Sequence, residues 1–139
     1  MNLDIDGARG VLAAQSFSVL LGTRLTIFGE GRSELVVPVN DDLKQQHGFV
    51  HGGVVSYLAD LGLAFAAGSV VGDVLTAEFK LNFMRPARGD AIVARGHVLH
   101  AGKRQATCRC DVFARDGAEE VLCAVALGTV VKVGGAGAA

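Results

Sequence analysis

The sequence predicts an α+β fold in which a curved antiparallel sheet wraps around one long central helix. Three observations lead there. The stretch from Gly52 to Gly68 is apolar on nearly every side and rich in strong helix formers, so other elements must cover it. Beyond Gly72 the apolar residues switch to a period of two, the spacing of strands with one buried face. Short Gly-containing turns then separate strand-like segments, which favours antiparallel neighbours.

Taken in order, residues 6–20 place Val11, Leu12, Gln15, Val19 and Leu20 at near-helical spacing and predict one short amphipathic helix. RLTIFGEGRSELVVPV reads as two strands around a Gly-Glu-Gly turn at 29–31. Asn40, Asp41 and Asp42 open a polar connection or a single helical turn that reaches His47. The Gly52–Gly68 helix follows, about 25 Å long. In TAEFKLNFM, Ala77, Phe79, Leu81 and Phe83 alternate with Thr76, Glu78, Lys80 and Asn82, which predicts a strand burying the first set. AIVARGHVLH, RQATCRCDVFA and EVLCAVALGTVVKV supply three more strands. The last four strands are expected to be antiparallel neighbours in sequence order. GGAGAA at the end is expected to be a frayed tail.

Composition narrows the function. At 139 residues, half of them hydrophobic and 19% charged, the chain reads as a single globular domain covering 1–139. Thirteen basic and 14 acidic residues give a formal charge of −1, so no nucleic-acid or anionic-membrane footprint is expected. The N-terminus lacks a basic leader region, and Cys108, Cys110 and Cys123 form no CxxC pair; a cytoplasmic protein with small core cysteines is expected.

Chemistry concentrates in HGFVHGGVVSYLADLGLAFAAGSVVGD, residues 47–73, where Asp60 is the one formal charge between His51 and Asp73. An unpaired carboxylate in an apolar setting costs several kcal/mol. Asp60 therefore either has a structural partner, sits at an oligomer interface, or lines a pocket and does chemistry. Gly52 and Gly53 fall in the helix's first turn, where backbone N–H groups lack intrahelical partners and the dipole is positive. Such a tip can take the carbonyl oxygen of an acyl substrate; it can also simply ease the loop into the helix. Asp60 lies eight residues on, about 12 Å along the axis, too far to serve a group held at the same tip. Two such helices side by side and antiparallel in a two-fold dimer would bring one chain's Gly52 near the other's Asp60. His51 suits a positioning role. His47 and His51 have metal-ligand spacing, but glycines interrupt the helix there and no third ligand stands nearby, so no metal is expected.

These residues are familiar together. HGGVVSYLAD at 51–60, LTAEFKLNFMRPA at 75–87 and GKR at 102–104 resemble the hotdog-fold thioesterases, in the branch of the phenylacetic-acid-degradation (PaaI-like) acyl-CoA thioesterases. The similarity runs over about residues 10–132. It implies a hotdog fold and hydrolysis of acyl-CoA thioesters by a homodimer with shared active sites, usually paired into a tetramer. It implies no cofactor, coenzyme A being part of the substrate. Asp60 matches the family's catalytic carboxylate, acting as nucleophile or as general base for water. Gly52 matches the residue whose N–H polarises the thioester carbonyl, with His51 and Gly53 beside it. Thr76 falls where relatives carry a Ser or Thr that orients the attacking group. Gln45 stands six residues before His51, where many relatives carry Asn, and offers the same amide from one methylene further out.

Arg85, Arg88, Lys103 and Arg104 lie in loops where the phosphates of CoA could be met, or are ordinary solvated charges. The acyl group is expected to be aromatic or medium-chain, with Tyr57, Leu61, Phe65 and Phe83 as candidate pocket residues that core packing explains equally. Two other functions fit the same pattern: an enoyl-thioester hydratase or dehydratase on the same fold, and an acyl-CoA-binding protein without turnover.

Overall fold

The computed structural model describes residues 3–134. Two short helices, α1 (Ile5–Ala13) and α2 (Ser16–Leu20), precede the hairpin β1 (Arg24–Gly29) and β2 (Arg32–Pro38). A 3₁₀ turn at Asp41–Leu43 leads to the central helix α3 (Gly52–Val71). Strands β3 (Val74–Phe83), β4 (Ala91–Ala101), β5 (Gln105–Asp116) and β6 (Glu119–Lys132) complete the chain. All six strands form one antiparallel sheet in the order β1-β2-β4-β5-β6-β3, curled around α3. Of the terminal GGAGAA segment, residues 135–139 lie outside the described residues.

The sheet grips the helix through a seam of small residues. A Cβ on Gly96 of β4 would overlap the Gly62 carbonyl, and one on Gly62 would overlap Sγ of Cys110 on β5. Ser33 Oγ, on β2, donates to the Gly62 carbonyl at 2.7 Å, so this close approach leaves the buried hydroxyl satisfied. Around the seam, Leu58, Leu63 and Ala67 of α3 pack in one core with Leu35, Val37, Ile92, Val112 and Val130, all fully buried. Cys108, Cys110 and Cys123 are buried and free, the small core residues the sequence suggested.

Four expectations need correction. The helix over 6–20 is two helices, because Gln15 adopts an extended conformation between them; Leu12 is buried but Val11, Val19 and Leu20 are exposed. The central helix is not covered all round: the sheet buries one side, while Tyr57, Asp60, Leu61 and Ala64 remain half-exposed on the other. Strand β3 is not a neighbour of β4. It pairs with β6 at the edge of the sheet, because residues 84–90 form a long crossing rather than a tight turn. Eight peptide steps can reach about 26 Å, enough to pass the two strands lying between.

The fourth correction lies inside β3. A bulge between Thr76 and Glu78 inserts Ala77 as an extra residue and shifts the alternation. Val74 and Thr76 face inward before it, Phe79 and Leu81 after it, while Ala77 and Phe83 are exposed. The bulge thereby turns Thr76, an outward residue in the simple alternation, toward α3.

Candidate active site

His51 is the N-cap of α3, and its Nδ1 accepts the Gly53 N–H at 2.8 Å. An accepting Nδ1 carries no proton, which leaves the ring N–H on Nε2. The His51 carbonyl accepts from Val54 and Val55. Among the described residues, the first-turn amide left without an acceptor is that of Gly52. The two glycines have thus separated. Gly53's amide is taken by His51, and a Cβ there would crowd the imidazole at 2.9 Å. Gly52 offers the free donor at the positive end of the helix.

Gly52 lines a cleft of about 450 Å³ together with Gln45, Phe49, Phe83, Arg85 and Ala87. Gln45 braces the loop before the helix, its Oε1 accepting from the His47 N–H at 2.6 Å and the Phe49 N–H at 3.2 Å. Val50 N–H to the Ala87 carbonyl, 2.8 Å, ties this loop to the 84–90 crossing. Arg85 donates to the Leu122 carbonyl at 3.1 Å, and Arg88 lies 5.9 Å from the Phe49 ring centre. Ser56, not singled out from the sequence, donates its hydroxyl to the Gly52 carbonyl at 2.8 Å, a back-bond that four-residue spacing on a helix signals.

Asp60 lies two turns along α3, on its half-exposed side. Its Oδ1 accepts the Thr76 hydroxyl at 2.6 Å, and no cation among the described residues pairs with it. This short hydrogen bond orients the carboxyl group, and among the described residues its second oxygen has no hydrogen-bond partner. Lys103 and Arg104 sit at this same end of the sheet. The Arg104 carbonyl accepts from Lys132, and Lys132 pairs with Val74 at the start of β3.

The predicted residues therefore form two groups at opposite ends of β3. Gln45, His51, Gly52, Gly53, Arg85 and Arg88 gather near its Phe83 end; Asp60, Thr76, Lys103 and Arg104 gather near its Val74 end. Within one chain, Gly52 and Asp60 are separated by about 12 Å of helix. No three His, Cys, Asp or Glu side chains among the described residues cluster as a metal site.

The chain belongs to the thioesterase superfamily, whose family model matches residues 47–121, and it is a thioester hydrolase by that membership. Its fold is the hotdog fold of that superfamily, and it is similar in particular to the PaaI-like members. A thioesterase family protein from Silicibacter pomeroyi is 35% identical, with a TM-score of 0.85, over 88% of this chain and 93% of that one. The phenylacetic acid degradation protein PaaI of Thermus thermophilus, solved as a point mutant, is 27% identical with a TM-score of 0.77, over 86% of this chain and 100% of that one. A Saccharolobus solfataricus protein provisionally named an esterase is 31% identical over 93% of this chain and 85% of its own length. Membership sets thioester hydrolysis above the hydratase and binding-protein readings.

Proposed function

We propose that the chain hydrolyses acyl-CoA to free acid and coenzyme A at sites shared between two copies related by a two-fold axis. Support comes from the edge of the sheet. Strand β3 is ten residues long and, among the described residues, unpaired on its outer side, a ready template for a second β3. Antiparallel pairing about a two-fold places the Val74 end of one strand beside the Phe83 end of the other. The Asp60 group of one chain then meets the Gly52 group of its neighbour, and Lys103 and Arg104 join Arg85 and Arg88 around the phosphates of CoA. A further pairing of dimers into a tetramer, a cytoplasmic location and action without a cofactor belong to the same proposal.

In this site the thioester carbonyl oxygen takes the free Gly52 N–H, which gains strength as negative charge develops on that oxygen. Asp60, aimed by Thr76, either removes a proton from water as hydroxide adds to the carbonyl carbon, or adds to that carbon itself. Collapse of the tetrahedral intermediate breaks the C–S bond and releases CoA as its thiolate, which takes the proton held by Asp60 in the first route and one from the water that hydrolyses the anhydride in the second. In the second route water then hydrolyses the mixed anhydride on Asp60. A single turnover in ¹⁸O-water that yields unlabelled product acid identifies the nucleophile route, with water adding to the Asp60 carboxyl carbon of the anhydride so that the bridging Asp60 oxygen leaves with the acyl group.

The observation that carries the reading is a half-buried carboxylate held by the Thr76 hydroxyl at 2.6 Å and, among the described residues, by no cation. Asp60→Asn is expected to keep the fold, because asparagine accepts the same hydrogen bond, and to lower thiol release by about 10²–10⁴-fold. Turnover at the parent rate would overturn the assignment.

A further inference from the structure

A second cavity lies outside the machinery just described. It encloses about 440 Å³ between α1 and the C-terminal half of α3, a volume suited to a small-molecule group. Its walls include Ala8 and Val11 of α1, Phe28 of β1, Ala64 and Gly68 of α3, and Val74 of β3. The cavity begins where the Asp60 pair ends. Ala64 is one helical turn beyond Asp60 on the same face, and Val74 shares the inward face of β3 with Thr76.

Its outer wall is fixed in place. Gln15, at the break between α1 and α2, lines the cavity and accepts the Ser18 hydroxyl at 2.7 Å. Ser18 accepts from Tyr57 of α3 at 2.7 Å, and Tyr57 shares a hydrogen bond with Thr23 at 2.7 Å. Phe17 stacks edge-on against Tyr57 at 5.1 Å between ring centres. These contacts bind the α1–α2 corner to the central helix. The wall that α1 supplies also precedes the 47–121 segment matched by the family model, so this feature is carried by a part of the chain outside that match.

We propose that this cavity receives the acyl group of the thioester and selects a linear, medium-length alkyl chain, an inference that rests on Asp60 being the attacking group. The shape argues for an extended chain. Ala64 and Gly68 follow Asp60 at four-residue steps, a course of about 12 Å along α3 on which the helix itself projects no side chain larger than a methyl, and Gly72 caps the helix just beyond. The lining is mostly apolar, with Gln15 and Asp73 its polar members, so each added methylene of an alkyl chain that meets the apolar wall gains contact, up to about 0.8 kcal/mol when fully buried.

Gly68→Leu tests this. A Cβ there meets only Val74 Cγ2, at 4.0 Å, so the side chain has room to grow into the cavity, about 12 Å along the helix from Asp60. With decanoyl-CoA, kcat/KM is expected to fall at least about tenfold, while acetyl-CoA turnover is unchanged. Val11→Phe, approaching from α1, is expected to give the same selective loss. An equal effect on both substrates, no effect on either, or a parent enzyme preferring phenylacetyl-CoA to decanoyl-CoA would overturn the proposal. Free decanoate provides a readout independent of turnover: added to Asp60→Asn protein, it should shift the methyl resonances of Ala8 and Ala64. Should no acyl-CoA release thiol while decanoate still moves those methyls, the hydrolase reading fails and the cavity assignment stands; should the methyls not move, the cavity assignment fails.

Discussion

At Gly52 and Gly53, two identical residues receive different work from one imidazole. His51 accepts the Gly53 N–H and leaves that of Gly52 open. Gly52→Pro isolates the consequence. Proline is favoured at the first position of a helix, and His51, at φ −57° and ψ 135°, already has the backbone that precedes a proline. The variant should fold, lack the free amide at the tip of α3, and lose about 10²–10³ in kcat; steady-state kinetics beside a far-UV spectrum checks it. The cysteines make a contrasting case. Burial pushes the Cys108 thiol up to about 11 and raises those of Cys110 and Cys123. They are thus structural at neutral pH, and a disulfide reagent should reach them only on unfolding.

Among the elements, α3 and the strands beneath it are the tightest contact. Gly96→Ala would push a methyl into the Gly62 carbonyl and within 2.8 Å of Ser33 Oγ, backbone and buried hydroxyl that cannot step aside. A loss of about 1–3 kcal/mol is expected in urea denaturation. Gly10→Ala is the control: it lies inside α1 with nothing within 4 Å, so helix propensity alone acts and stability should rise by up to about 1 kcal/mol. The helix and most strands were legible because periodicity is local. Periodicity did not reveal the Thr76–Asp60 hydrogen bond, which the resemblance alone implied, since the Ala77 bulge that turns Thr76 inward depends on pairing with β6.

At the scale of the whole molecule, the outer face of the sheet is knitted by ions. Arg95 reaches Glu34 at 2.7 Å and Glu120 at 2.8 Å, over the Phe113 ring at 4.8 Å. Burial opposes ionisation of Glu34, but hydrogen bonds from Arg95 and Thr26 outweigh it; Arg95 foremost lowers Glu120. Both carboxyls bind protons less readily folded than unfolded, so their contribution to stability is present above the ordinary carboxylate value and is lost as pH falls through the folded one. Arg95→Met should flatten the loss of stability between roughly pH 5 and 3, read by thermal melts. The shared site makes its own prediction at this scale. Asp60→Asn and Gly52→Pro chains, each inactive, should regain activity when mixed after unfolding and refolding together, because a mixed dimer holds one intact site. Mixtures that stay inactive would place the whole site within one chain.

From the sequence alone come the central helix, the strands, the oddity of Asp60 and the amide-rich helix tip, because each is written in residues close along the chain. Tertiary structure decided the rest: β3 at the sheet edge against β6, the open side of α3, and the division of Lys103 and Arg104 from Arg85 and Arg88 by the length of a strand. Those features depend on which strands find each other after the 84–90 crossing. Pairing is set by surfaces that meet only once the chain has folded, and no local period records it.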